Sequence, residues 1–226
     1  GSMHLIDRKE GFEGSTAIVG NTIPIGVGLG LSKKISKKKS ISVVYCGDGS
    51  VEEGVFYESI NFAATKKIPV LFVCENNSYS VYSPLSVRQP EGRKIHEMVK
   101  GMGVDSAYED GNDIRKVYRL TKRAISKIYE TGSPFFMELQ TYRWREHCGP
   151  NYDNNIGYRS EEEFLEWKKR DPIKLFEKKL LKEKICTKGE IRRINKEVLG
   201  QIKEAFNFAK SSPFPDPSEA FESMFA

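Results

Sequence analysis

The sequence predicts an α/β fold, in which a mostly parallel β-sheet is flanked by helices and followed by a helical C-terminal tail. Two apolar segments of strand length, residues 41–46 and 69–74, are rich in β-branched and aromatic side chains. Between them, Val55, Phe56 and Ile60 recur at helical spacing. A strand, a helix and a second strand in this order normally give two parallel neighbouring strands.

Further elements are predicted from the same patterns. A helix over 21–36 precedes the first strand and contains Gly26, Gly28 and Gly30. Each glycine lowers helix propensity by about 1 kcal/mol relative to alanine, so close packing against all three is expected. The helix between the two strands is predicted over 51–66. Five further segments follow: a polar loop over 78–93, a short strand over 102–106, an amphipathic helix over 113–130, a fourth strand over 134–141 and an irregular segment over 142–160.

The last part of the chain is charged and helical in pattern. Asp171-Pro172 predicts a break between two helices there. We expect residues 1–160 to form the α/β core and residues 161–226 to form a helical C-terminal extension of the same domain.

Composition favours a globular protein. The 226 residues are 38% hydrophobic and 11% aromatic, which is enough apolar surface for a sizeable core. The net charge of +5 comes from interspersed basic and acidic residues, and no aromatic residues interleave with the lysine cluster at 33–39, so we expect no nucleic-acid partner. The four cysteines lack Cys-x-x-Cys spacing, which favours a reducing cytoplasm, and no apolar run approaches membrane-spanning length.

Polar residues follow the two neighbouring strands where each strand ends. Gly47-Asp48-Gly49 follows the first strand, and Asn76-Asn77 follows the second. In open parallel sheets, ligands bind just outside the carboxyl ends of the strands. A carboxylate, an amide oxygen and a nearby backbone carbonyl form an incomplete set of oxygen ligands, which Mg²⁺ prefers when phosphates and water complete its octahedron. The pair of motifs therefore predicts a magnesium site for a phosphorylated ligand.

The residues around Asp48 allow two interpretations. Gly-Asp-Gly also forms ordinary turns. The paired asparagines favour a binding site, in which the backbone N–H groups of Gly49 and Ser50 open the following helix and donate to phosphate oxygens. Glu52 and Glu53 are predicted to be structural, because carboxylates in the first turn of a helix are stabilised by its dipole.

The two-part motif, Gly47-Asp48-Gly49 through Asn76-Asn77, resembles the diphosphate motif of thiamine diphosphate enzymes. Other segments resemble the alpha subunit of the decarboxylating component of 2-oxo acid dehydrogenase complexes, a group that includes pyruvate, branched-chain and acetoin enzymes. These segments are Glu53-Gly54-Val55-Phe56, Asn61-Phe62-Ala63-Ala64, Ile68-Pro69-Val70, residues 137–143 and residues 211–217. The resemblance covers nearly the whole chain and implies the thiamine diphosphate-binding fold.

The resemblance also implies ligands for the cofactor and the metal. Asp48, Asn77 and the main-chain carbonyl of Tyr79 match the family's Mg²⁺ ligands. Backbone atoms at Ala17 and Val19 match those that bind the aminopyrimidine ring of thiamine diphosphate. Family members often have glycine where Ala17 stands, so its methyl group is expected to narrow the pocket.

His147 matches a histidine of the family's catalytic loop. The resemblance implies that it contacts the diphosphate and assists decarboxylation or acyl transfer, since an imidazole titrates near neutral pH and can donate to phosphate. The alternative is a solvated loop histidine. Cys148 stands where some family members carry a regulatory serine, so we do not expect serine-based regulation of that type.

The resemblance implies partners as well. In the family, a preceding segment supplies a tyrosine and an arginine to the diphosphate, and a beta subunit supplies the glutamate that activates the aminopyrimidine. We therefore expect a fragment or a short subunit, working as an alpha2beta2 assembly with a lipoyl-bearing acyltransferase protein. Gly1-Ser2-Met3 is also a sequence that tag cleavage leaves behind.

The function predicted in this way is decarboxylation of a 2-oxo acid, or cleavage of acetoin, with acyl transfer to a lipoyl group. One alternative is a carboligase or specialised biosynthetic enzyme that uses the same cofactor. Another is a non-catalytic scaffold that binds a partner. A dinucleotide-binding domain is disfavoured, because Gly-Asp-Gly replaces the Gly-x-Gly-x-x-Gly turn after the first strand.

Overall fold

The computed structural model describes residues 3–222, and its first unit contains a four-stranded parallel sheet in which the first, second, sixth and fifth strands of the chain are neighbours in that order. In chain order, the strands are β1 (Ser42–Gly47), β2 (Val70–Asn76), β3 (Tyr79–Ser80), β4 (Ser83–Pro84), β5 (Asp105–Asp110) and β6 (Phe135–Gln140). The helices are α1 (Thr22–Ile35), α2 (Gly54–Thr65), α3 (Leu85–Arg88), α4 (Ile95–Gly101), α5 (Ile114–Thr131), α6 (Glu161–Lys168), α7 (Pro172–Lys182) and α8 (Lys188–Ser211). The predicted α/β fold, with a parallel sheet and a helical C-terminal region, is confirmed.

The carboxyl ends of the strands meet at one edge of the sheet. β1 pairs with β2 in parallel, which places Gly47 opposite Glu75. β2 pairs with β6 in parallel, and Gln140 lies opposite both Asn76 and Asp110. The predicted strand, helix and strand unit is therefore confirmed, and the segments that follow β1 and β2 leave the sheet side by side.

Apolar side chains cover both faces of the two central strands. Phe72 and Phe136 belong to one buried cluster, with residues of α1, α2 and α4. Leu71 and Met137 belong to a second buried cluster, on the face that α5 covers. Successive strand residues point to opposite faces, so the nearly continuous apolar run of β2 reflects its burial on both sides.

Two glycines of α1 bring this helix close to the sheet. A Cβ atom added at Gly26 would lie 2.1 Å from Cγ2 of Val44, and one at Gly30 would lie 2.7 Å from Cγ2 of Val70. A Cβ atom at Gly28 would meet no heavy atom within 4 Å among the described residues. The predicted close packing is confirmed at Gly26 and Gly30 and is wrong at Gly28, which points away from the sheet.

This difference gives a matched pair of substitutions in one helix. We expect Gly26→Ala to lower the free energy of unfolding by about 2 kcal/mol, because the added methyl group overpacks against Val44. We expect Gly28→Ala to raise it by up to about 1 kcal/mol, because alanine favours the helix and meets open space. Urea unfolding of both variants measures the two effects, and changes of the same sign would contradict the packing described.

Three sequence predictions differ from the structure in the loops and element boundaries. The strand predicted over 102–106 begins at Asp105, because α4 extends to Gly101. The polar loop predicted over 78–93 contains the β3-β4 hairpin and α3. The helix predicted over 51–66 is preceded by a 3-10 turn, Asp48–Glu52.

The helix α2 begins later than predicted because the backbone of Glu53 is extended, with φ −72° and ψ 137°. Glu52 therefore ends the 3-10 turn, and Glu53 precedes α2 as its N-cap residue. The prediction that both carboxylates lie in the first turn of the α-helix is wrong.

The chain divides into two compact units after Ile173. The predicted break at Asp171-Pro172 is confirmed, since α7 begins at Pro172, a residue that suits the first position of a helix. In the second unit, Thr187 and Glu190 form a capping box at the start of α8. The domain organisation of 1–160 and 161–226 stays a prediction. No helix within residues 3–222 has the length and apolar character needed to cross a bilayer.

Candidate functional site

Asp48 and Asn77 meet at the carboxyl ends of β1 and β2. The backbone N–H of Asn77 donates to Oδ1 of Asp48 at 3.3 Å. The Asp48 side chain is 1% exposed, and its other oxygen, Oδ2, accepts a hydrogen bond from the Arg88 guanidinium. The structure thus brings together the two residues on which the sequence interpretation depends, at the sheet edge where ligands of parallel sheets bind.

Local side-chain hydrogen bonds fix the turn that carries Asn77. Oδ1 of Asn77 accepts from the backbone N–H of Tyr79 at 3.0 Å, and Oδ1 of Asn76 accepts from the N–H of Ser78 at 3.0 Å. Both are Asx turns, which asparagine favours. The Tyr79 hydroxyl donates to Oε2 of Glu163 at 2.7 Å, so its side chain packs against α6. Burial, together with this hydrogen bond, raises the pKa of Tyr79.

A buried carboxylate supports the same turn from β6. The Nδ2 group of Asn76 donates to Oε1 of Glu138 at 2.8 Å. Oε2 of Glu138 accepts from the backbone N–H of His96 at 2.9 Å and lies 2.7 Å from Nδ1 of its ring. No partner of His96 was predicted from the sequence. The glutamate within the apolar strand predicted over 134–141 could have indicated such a contact, because a buried carboxylate needs hydrogen-bond donors.

The glycine after Asp48 allows a close approach of the β3-β4 hairpin. A Cβ atom added at Gly49 would lie 2.5 Å from Oγ of Ser80. Gly49 and Ser50 are half-buried and belong to the 3-10 turn rather than to α2. The prediction that their N–H groups open the α-helix is therefore wrong, and their contact with phosphate stays a prediction.

The segment before α1 lies against the start of α2. A Cβ atom added at Gly20, where φ is +77°, would lie 3.2 Å from Cβ of Glu53 and 3.3 Å from Cγ1 of Val55. Ala17 and Val19 are exposed in this segment. Their predicted backbone contacts with an aminopyrimidine ring thus fall on accessible residues of this segment, and these contacts stay predictions.

A network of arginine, tyrosine and aspartate joins the two ends of the segment that carries His147. The guanidinium of Arg143 donates to the Tyr158 hydroxyl at 2.9 Å, and this hydroxyl donates to Oδ2 of Asp153 at 2.7 Å. Asp153 also pairs with Arg159, whose side chain is fully buried. Burial raises the pKa of Tyr158 to about 12, and the hydrogen bond to Asp153 acts in the same direction. Such a buried pair fixes the geometry of the segment.

His147 lies exposed within this closed segment. Arg143 also donates to the backbone carbonyl of Val81 at 2.8 Å, which connects the start of the segment to the turn of the β3-β4 hairpin. Glu146 accepts from the Asn151 side chain at 2.8 Å and from its backbone N–H at 3.0 Å. The base of the His147 segment is therefore held close to the hairpin that follows Asn77, and the predicted role of His147 stays a prediction.

Arg88 and Glu52 are site residues to which the sequence interpretation gave no binding role. The Arg88 guanidinium pairs with both Asp48 and Glu52, and its Nε group donates to the carbonyl of Ser83 at 3.0 Å. Among the described residues, no group of three or more His, Cys, Asp or Glu side chains is placed to hold a metal ion. A cation at Asp48 would therefore depend on amide and backbone oxygens besides the single carboxylate.

The fold and site define an α/β protein with a buried carboxylate and an asparagine turn at the ligand-binding edge of its sheet. A family model described as "Dehydrogenase E1 component" matches residues 1–218. The chain belongs to this family, and the resemblance identified from the sequence is confirmed.

Several individual proteins are similar to this chain. The pyruvate dehydrogenase E1 component subunit alpha of Rickettsia felis is 34% identical over 225 residues, which are 100% of this chain and 68% of that protein. The mitochondrial subunit alpha of Pisum sativum is 34% identical over 228 residues, and the match spans 55% of its length. A solved structure of a putative thiamin diphosphate-dependent enzyme from Mycobacterium smegmatis aligns with a TM-score of 0.47 and 22% identity, over 58% of this chain and 24% of that chain.

Proposed function

We propose that this protein is the alpha subunit of a thiamine diphosphate-dependent 2-oxo acid dehydrogenase. The reaction is decarboxylation of a 2-oxo acid with transfer of the acyl group to a lipoyl group on a partner protein. The observation that carries the proposal is the hydrogen bond from the N–H of Asn77 to the Asp48 carboxylate, which joins the two halves of the diphosphate motif in space. The relatives described as pyruvate dehydrogenase subunits make pyruvate the first substrate to test.

The residues at this site fit Mg²⁺. The Asp48 carboxylate, the amide oxygen of Asn77 and the carbonyl of Tyr79 are hard oxygen donors of the type that Mg²⁺ prefers. The buried Asp48 carboxylate already pairs with the positive charge of Arg88, so the site stabilises a cation. The absence of a side chain at Gly49 lets the β3-β4 hairpin, which begins at Tyr79, approach the turn that carries this carboxylate.

Each predicted site residue then has a role in binding or proton handling. Backbone groups of Ala17 and Val19 orient the aminopyrimidine ring, and the N–H groups of Gly49 and Ser50 donate to the diphosphate. His147 donates to the diphosphate and handles protons in the decarboxylation or acyl-transfer steps. When bound, thiamine diphosphate supplies the electron sink for decarboxylation.

We further propose that the protein works in an assembly. A beta subunit provides the glutamate that activates the aminopyrimidine, in an alpha2beta2 enzyme, and a lipoyl-bearing acyltransferase protein receives the acyl group. The cytoplasmic location predicted from the cysteines belongs to this proposal, and the structure leaves Cys46, Cys74, Cys148 and Cys186 as free thiols.

Calorimetry tests the proposed function directly. We expect thiamine diphosphate with Mg²⁺ to bind the protein together with a beta subunit of a related pyruvate dehydrogenase. The reconstituted enzyme should then oxidise pyruvate, among a panel of 2-oxo acids, with an artificial electron acceptor. Absence of binding heat both with and without the beta subunit would contradict the proposal and favour a partner-binding scaffold.

A further inference from the structure

Arg88 is bound to two carboxylates at the proposed metal site. Its guanidinium pairs with Asp48 through one terminal nitrogen and with Glu52 through the other. The Arg88 side chain is 10% exposed, and its Nε group donates to the carbonyl of Ser83 at 3.0 Å. A planar guanidinium suits this arrangement, because its donors point in fixed directions.

Arg88 and a divalent cation need the same carboxylate. Oδ1 of Asp48 accepts from the N–H of Asn77, and Oδ2 accepts from Arg88. A divalent cation coordinated by Asp48 would lie within a few ångström of the guanidinium, at a side chain that is almost completely buried. Like charges repel strongly at short range where water is excluded. Asp48 therefore cannot bind a divalent cation and the Arg88 guanidinium tightly at the same time.

We propose that divalent cation binding proceeds by exchange, in which the cation takes Asp48 and the Arg88 guanidinium remains on Glu52. This inference rests on the proposed function, because it assumes that Asp48 is a metal ligand. Arg88 is then the residue that sets the metal affinity of the site, and Glu52 is the residue that retains the guanidinium after exchange.

Glu52 is placed to keep the displaced guanidinium. Its Oε1 atom also accepts from Nε2 of Gln89 at 3.3 Å, so a second donor besides Arg88 holds this carboxylate. Gln89 is buried, and its Oε1 atom has no hydrogen-bond partner within residues 3–222. The carbonyl of Ser83 provides a further anchor for Arg88 that exchange at Asp48 leaves intact.

The charge balance agrees with this exchange. Asp48, Glu52 and Arg88 together leave one negative charge uncompensated. A bound divalent cation changes this to one positive charge, which attracts a diphosphate anion. Because Glu52 neutralises the charge of Arg88 after the exchange, the attraction for the anion comes from the metal itself.

Metal affinity without cofactor tests the exchange. Titration of the protein with Mn²⁺ gives the dissociation constant, measured by calorimetry and by the electron paramagnetic resonance signal of free Mn²⁺. We expect Arg88→Gln to bind Mn²⁺ about tenfold more tightly than the unmodified protein. If Arg88 leaves Asp48 free for about one-tenth of the time, the apparent Mn²⁺ affinity is reduced by that fraction, and the variant removes this reduction. Arg93→Gln, an equal change of charge at an exposed arginine of the same segment, should leave the affinity unchanged.

A double-mutant cycle isolates the role of Glu52. In the presence of Arg88, Glu52→Gln should weaken Mn²⁺ binding about threefold, because the displaced guanidinium loses its carboxylate. In the Arg88→Gln background, the same change should have no effect. An equal effect of Glu52→Gln in both backgrounds would overturn the inference, since it would show that Glu52 attracts the metal independently of Arg88.

The outcomes separate this inference from the proposed function. Unchanged or weaker Mn²⁺ binding by Arg88→Gln, in a protein whose binding is lost in Asp48→Asn, would overturn the exchange and leave the proposed metal site intact. Equal Mn²⁺ binding by Asp48→Asn and the unmodified protein would overturn both. Should Arg88→Gln fail to fold, Arg88→Lys provides the test. Lysine keeps the positive charge but lacks the planar guanidinium that pairs with two carboxylates at once. We expect the Mn²⁺ affinity of this variant to be at least about threefold higher than that of the unmodified protein.

Discussion

Replacing Asp48 with asparagine is expected to lower the affinity for thiamine diphosphate with Mg²⁺ by about 100-fold or more, which corresponds to about 2.7 kcal/mol of binding free energy. Asp48 is the only carboxylate of the predicted ligand set, to which Asn77 and Tyr79 add neutral oxygens. Asparagine keeps the size of the side chain but removes the negative charge that a divalent cation requires. Calorimetry in the presence of a beta subunit measures the loss.

Asp105→Asn is the matched control for this prediction. Asp105 begins β5 at the opposite end of the sheet, and its half-exposed carboxylate pairs with Lys127 at 2.7 Å. Exposed ion pairs contribute about 1 kcal/mol or less to stability, so this variant should fold and bind the cofactor normally. Cofactor affinity of Asp48→Asn equal to that of Asp105→Asn would show that Asp48 holds no metal.

Replacing His147 with alanine is expected to lower kcat for 2-oxo acid decarboxylation by about 100-fold or more, as removal of a proton-transferring side chain typically does. The affinity for thiamine diphosphate should fall much less, because the proposed metal ligands remain. Steady-state assays with the beta subunit and an artificial electron acceptor measure kcat, and calorimetry measures the cofactor affinity.

His4→Ala is the matched control for His147→Ala. His4 is exposed, and no role in the site was predicted for it. This variant should keep full activity. Full activity of His147→Ala with bound cofactor would contradict its predicted role and support the alternative of a solvated loop histidine.

The central part of the fold could be predicted because its strands carry strong local patterns. The apolar runs that became β1 and β2 have the length and β-branched content of buried strands, and Ile114–Thr131 is a strongly amphipathic helix. The β3-β4 hairpin and α3 could not be predicted, because elements of two to four residues are too short to show a period. Their conformation depends on the turn after Asn77 and on contacts with Gly49.

The candidate site was predictable only in part, for a related reason. Asp48 and Asn77 follow consecutive parallel strands, so topology alone brings them together. The pairs Arg88 with Asp48 and Asn76 with Glu138 join segments that are 40 and 62 residues apart, and no spacing in the sequence indicates them. The first contact depends on the position of α3, and the second on the pairing of β2 with β6.

Crystallography of the assembled enzyme with thiamine diphosphate and Mn²⁺ would locate the bound ion. We expect an anomalous scattering peak about 2.1 Å from oxygen atoms of Asp48 and Asn77, with the diphosphate on the same ion. An ion coordinated elsewhere, with Arg88 still paired to Asp48, would contradict the proposed metal site.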